Sequence, residues 1–91
     1  PAGVVAGVVL EKHLKNVCTV HNIVIQKKNL TISDYNDKLK ESDIINVPTW
    51  RKIQLLGDLR NLCAHNKDVE PTEQDVIELI SGTKTIISTL F

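Results

Sequence analysis

Apolar residues recur at three- and four-residue spacing along most of the chain, and polar breaks divide that recurrence into four segments. The pattern predicts helices. The first runs from about Ala2 to Val20, with Val5, Val8, Val9, Leu10, Leu14, Val17 and Cys18 expected to face inward, and the polar linker Gln26-Lys27-Lys28-Asn29 follows it. Ile23-Val24-Ile25 alone has the period of a strand. A second helix is announced by Thr31-Ile32-Ser33-Asp34, where the Thr31 hydroxyl can cap the start and Asp34 suits the positive end; it should stop near Ser42. Pro48 fits the first turn of a third, because its missing N–H would be unpaired there in any case. That helix continues through Trp50, Ile53, Leu56, Leu59 and Leu62 to His65, and Asn66-Lys67-Asp68 should break it. After Pro71 the capping pattern returns at Thr72-Glu73-Gln74-Asp75, and the fourth helix is expected to run through Val76, Ile77, Leu79, Ile80, Ile86, Ile87 and Leu90 to Phe91. Short connections favour antiparallel neighbours. The expected fold is therefore all-α, a four-helix, mostly up-and-down antiparallel bundle forming one domain over residues 1–91.

A domain of this length buries only about two thirds of its unfolded surface, so a partner copy or further chain would help to stabilise it. The opening Pro1-Ala2-Gly3 and the small apolar residues after it suit a C-terminal fragment of a longer protein. Gly3 and Gly7, four apart, would let another helix approach closely, such as a segment lying upstream. The apolar run stops at Glu11-Lys12, well short of the roughly 20 residues that span a bilayer, and no basic stretch precedes it. Neither a membrane segment nor an export signal is expected.

Eleven Lys and Arg balance eleven Asp and Glu, so no global positive field grips nucleic acid and any such contact must be local. Cys18 and Cys63 lie within helical patterns, which suits reduced core thiols and a cytoplasmic setting. His13, Cys18 and His21 could be read as metal ligands, but no fourth ligand accompanies them, and the expectation is neither metal nor cofactor. Tyr35 and Trp50 fall on apolar stripes and read as core residues rather than base-stacking platforms. Lys27-Lys28 reads as a solvated linker.

The third helix carries the chemistry. On a wheel of about 100° per residue, Gln54, Asp58, Asn61 and His65 share one polar stripe, with Arg51 on its flank. Arg60 instead falls in the apolar arc, among Ile53, Leu56, Gly57, Cys63 and Ala64. A charge there needs a partner, either a carboxylate such as Glu11 or an anionic ligand, because an unpaired buried charge costs several kcal/mol or more. Gly57 and Ala64 leave room around it. Arg60 offers a planar donor fork suited to phosphate, and His65 a proton donor or acceptor effective near neutral pH. Five residues on an ideal helix separate the two by about 140°, so they converge only at a frayed helix end or in a pocket shared with another chain.

The segment Leu56-Gly57-Asp58-Leu59-Arg60-Asn61-Leu62-Cys63-Ala64-His65-Asn66 resembles the Arg-x4-His motif of HEPN domains, including the polar Asn61 beside the Arg and the small Ala64 before the His. The opening Ala6-Gly7-Val8-Val9-Leu10-Glu11-Lys12-His13-Leu14-Lys15 is similar to the preceding helix of bacterial members. Lys67 stands where the strongest toxin variants carry Tyr. The resemblance implies a helical bundle that pairs as a homodimer, with both Arg-His motifs in one cleft and RNA cut without metal. It further implies that Arg60 stabilises charge on the phosphate, His65 moves a proton or positions the phosphate, and Asn61 orients the pair. A Gly-containing apolar face would then be the dimer surface, and an antitoxin or an upstream domain of the same chain would be the further partner of a toxin or defence enzyme. Some HEPN domains only dimerise or bind nucleotide or RNA, and the same residues then make a structural polar contact.

Overall fold

The helical spacing is realised as α1 (Ala2–Val20), α2 (Ile32–Glu41), α3 (Val47–His65) and α4 (Glu73–Thr89). These come from a computed structural model describing residues 2–65 and 70–91, with residue 65 described by its backbone. The break expected at residues 66–68 lies outside the described residues.

Local chemistry fixes the ends. Thr31 and Thr72 close capping boxes at α2 and α4: each hydroxyl accepts from the amide three residues on, and Asp34 and Asp75 return the bond to the threonine N–H. At α3 the cap is Asn46, whose Oδ1 accepts from Thr49 N–H at 3.0 Å, so the helix begins one residue before Pro48. Helices α1 and α2 both end in a six-to-one turn, Ile23 N–H to Cys18 O and Ile44 N–H to Leu39 O. Asn22 and Asp43 occupy the left-handed position that each turn requires, at φ 58° and 59°.

Contacts between helices set the directions. Gly3 lies beside Cys63 and Gly7 beside Arg60, so α1 and α3 are antiparallel. Ile32 lies beside Gly57 and Asn36 bonds Trp50 O, so α2 also opposes α3. Val76 beside Gly3 and Leu90 beside His13 make α4 parallel to α1. Three consecutive helices, α2 to α4, therefore alternate up and down, whereas α1 and α2 point the same way. Between them residues 21–30 return along the bundle, which at about 3.3 Å per residue is long enough for the length of α1. This explains the strand-like Ile23-Val24-Ile25: no strand forms among the described residues, but Ile23 and Ile25 pack on the core while Val24 faces out. Helices α1 and α3 form the centre, with α2 and α4 on opposite flanks that do not meet.

The inward face of α1 differs from the sequence expectation. Leu10, Leu14, Val17 and Cys18 are buried, but Val5, Val8 and Val9 are 60%, 44% and 40% exposed, and Gly3, Ala6 and Gly7 take the inward positions instead. Small residues win there because α3 packs close enough to exclude a branched side chain. The partner that Gly3 and Gly7 admit is thus α3 of the same chain. Ile77 is likewise exposed on α4, whose buried face is Leu79, Gly82, Thr83 and Ile86.

Helix α4 stops at Thr89, two residues short of the expected end. Leu90 turns extended, and its carbonyl meets His13 Nε2 at 2.7 Å while that of Phe91 meets His21 Nε2 at 2.7 Å. Each imidazole must present an N–H there, since a carbonyl only accepts. The Leu90 side chain is thereby buried and Phe91 left outside.

Asp34 links the α2 cap to pH. The Thr31 backbone N–H, and then the Lys27 ammonium at 3.0 Å, hold its carboxyl below the usual carboxylate range. Its folded pKa lies below its unfolded value of about 3.9, so the stabilisation is complete above that value and is lost as pH falls through the folded pKa. Thermal melts should show Asp34→Asn less stable than wild type at neutral pH, with the two curves converging as pH falls below the unfolded carboxylate range. A constant gap down to pH 2 would remove Asp34 as the titrating group.

Candidate functional site

The stripe Gln54, Asp58 and Asn61 follows from spacings of four and three along α3 while Ile53, Leu56 and Leu59 are buried on the other side. All three polar residues border a groove of about 400 Å³ between α3 and the start of α2. Thr31 and Ser33 form its α2 wall, where the positive end of the helix dipole lies, and Glu11 reaches it from α1. Gly57 forms part of the α3 wall, and a Cβ there would lie 3.3 Å from Ile32 Cγ2.

Arg60 reaches this groove from within the apolar arc, and Gly7 is the reason it can. A Cβ at Gly7 would run into Arg60 Cγ and lie 3.3 Å from its Cβ and 3.4 Å from its Cδ. The aliphatic stem thus crosses the α1 backbone at the glycine, and the charged head emerges on the polar side. Arg60 Nη1 lies 3.5 Å from Asn61 Oδ1, so the adjacent amide helps to orient the fork. Arg60 and Asn61 therefore share one groove. Glu11, the carboxylate considered for Arg60, borders the same space together with Asp58. His65 is the last residue of α3, and its side chain lies outside the described residues.

One expectation is corrected here. The Gly-containing apolar face of α3 cannot serve as a dimer surface, because the chain covers it itself: Ile32 lies over Gly57, Gly7 under the Arg60 stem, and Gly3 against Cys63. An exposed apolar patch lies elsewhere, along α1 and α4, where Val5, Val9, Ile80 and Ile87 border a shallow groove.

The other candidates have structural engagements. His13 and His21 bind the carbonyls near the chain end rather than sharing a site with Cys18, which is buried, and burial pushes its thiol pKa up. Trp50 is half-buried, donates from Nε1 to Asp37 Oδ1 at 2.9 Å and carries Lys40 over its ring, while Tyr35 is buried. Lys27 pairs with Asp34 and so belongs to the α2 cap. Sequence reasoning did not place Thr31 and Ser33 at the site. The Gly3–Gly7 spacing marks a close helix approach but does not say that the approaching helix is α3.

No helix among the described residues is long and apolar enough to cross a membrane. Compared with known proteins, the chain matches no family model, no curated protein and no solved structure.

Proposed function

We propose that the chain is a metal-independent endoribonuclease of the HEPN type, with Arg60, Asn61 and His65 as its working residues and two copies contributing their motifs to one cleft. In the reaction the ribose 2′-oxygen attacks the adjacent phosphorus and the bond to the 5′-oxygen breaks. The 2′-hydroxyl proton leaves to a base, and a proton is delivered to the departing 5′-oxygen, giving a 2′,3′-cyclic phosphate and a 5′-hydroxyl. Arg60 stabilises the charge that develops on the phosphoryl oxygens, Asn61 orients the guanidinium, and His65 transfers protons. A cytoplasmic toxin or defence role, with an antitoxin as partner, belongs to the same reading.

The observation that carries the proposal is the placement of the Arg60 head with Asn61 in an open groove rather than in the core. The groove also holds Glu11 and Asp58, so net charge gives a phosphate little there. Its directional donors, the Arg60 fork with Gln54, Asn61 and Ser33, must supply recognition. The exposed valines of α1 favour a second reading, a non-catalytic module that pairs through its α1 and α4 face.

Incubating wild type and His65→Ala with total RNA in EDTA distinguishes the two. Cyclic-phosphate ends from wild type alone are the expected result. Intact RNA in both lanes, with a dimer in sedimentation, would transfer the assignment to the pairing module, and loss of wild-type cleavage on chelation would overturn the metal-free mechanism.

A further inference from the structure

We infer that Lys12, Lys15 and Lys28 form a phosphate-holding track that leads single-stranded RNA into the Arg60 groove; the inference rests on the ribonuclease reading. The chain has no net charge, so an RNA-cleaving site must gather its cations locally. Three of them gather here. Lys12 and Lys15 are three residues apart on α1 and so share a face, and residues 21–30, returning along the bundle, carry Lys28 to the same place.

Together they border a depression of about 390 Å³ whose remaining walls are Glu11, Leu30 and Tyr35. Glu11 and Leu30 also border the Arg60 groove, so the two hollows form one continuous surface. Ion pairs among the described residues engage Lys27, Lys38 and Lys52, whereas Lys12, Lys15 and Lys28 are in none. Three exposed ammonium groups face a single carboxylate, Glu11, and this is the basic end of a surface whose other end offers the Arg60 fork.

The chemistry of the lining indicates how a strand would be held. Tyr35 is buried, so its ring offers no face for stacking, and lysine acts on phosphate as a point charge without reading bases. The track therefore grips the backbone without sequence preference, and any selection falls to Gln54, Asp58 and Asn61 in the groove.

The test is binding of a labelled ten-nucleotide single-stranded RNA to the His65→Ala protein, which keeps the probe intact, read by fluorescence anisotropy over a range of salt. Lys12→Gln/Lys15→Gln/Lys28→Gln in that background should weaken binding about tenfold at low salt. It should also reduce the slope of log K against log salt by about 2, from three contacts at about 0.7 each. All three side chains are exposed, so circular dichroism should be unchanged, and Lys84→Gln on the far face should bind normally. Unaltered affinity and slope in the triple variant, with binding still lost in Arg60→Ala, would overturn the track while sparing the groove. Absence of binding by the unsubstituted lysine protein at low salt would overturn both.

Discussion

Gly7→Ala is expected to destabilise the protein by about 1–2 kcal/mol, against the ordinary rule for a helix interior. Replacing glycine by alanine within a helix normally gains nearly 1 kcal/mol, because alanine loses less backbone entropy. Position 7 reverses the sign, since the new methyl group would collide with Cγ of Arg60 and crowd its Cβ and Cδ. Those atoms lie near the α3 backbone and cannot swing away as a side-chain tip could, so the helices must separate or the arginine must leave its rotamer, at about 1–3 kcal/mol. A double-mutant cycle isolates the effect. In an Arg60→Ala background Cγ is gone, and Gly7→Ala should become neutral or stabilising in chemical denaturation. A stabilising Gly7→Ala in both backgrounds would mean that Arg60 does not cross α1 at this glycine.

The same contact shows why part of the fold was legible in the sequence and part was not. Helix ends are local chemistry, so Thr31-Asp34 and Thr72-Asp75 mark two starts in the sequence, and Asn46 two residues before Pro48 is the local signal for a third. The polar stripe was equally legible, because Gln54, Asp58 and Asn61 need only helical spacing to share a face. The inner face of α1 was not. Val5, Val8 and Val9 also recur at helical spacing, and a reading that ranks side chains by hydrophobicity prefers them to Gly3, Ala6 and Gly7. Helix approach reverses the ranking, and how closely two helices approach is a property of the pair. The end of α4 escaped for a related reason, since Leu90 and Phe91 are held by His13 and His21 more than 65 residues away. Lys12, Lys15 and Lys28 became neighbours only through the extended return of residues 21–30.

The seating of Arg60 makes it possible to separate its packing from its chemistry. Arg60→Ala removes both the stem over Gly7 and the guanidinium, so it should lower stability as well as RNA cleavage, by about 10²–10³-fold in rate if one charge-stabilising donor group is lost. Arg60→Lys keeps a methylene stem and a positive charge but replaces the rigid fork with a single ammonium. The lysine variant should therefore melt close to wild type, within about 0.5 kcal/mol, while cleavage in EDTA remains far below it. That divergence is the signature of a guanidinium acting on a phosphate. A rate recovered in full by lysine would reduce Arg60 to a point charge. Wild-type cleavage by Arg60→Ala, despite a lower melting temperature, would leave it a structural residue bridging α1 and α3 and would withdraw the mechanism built on it.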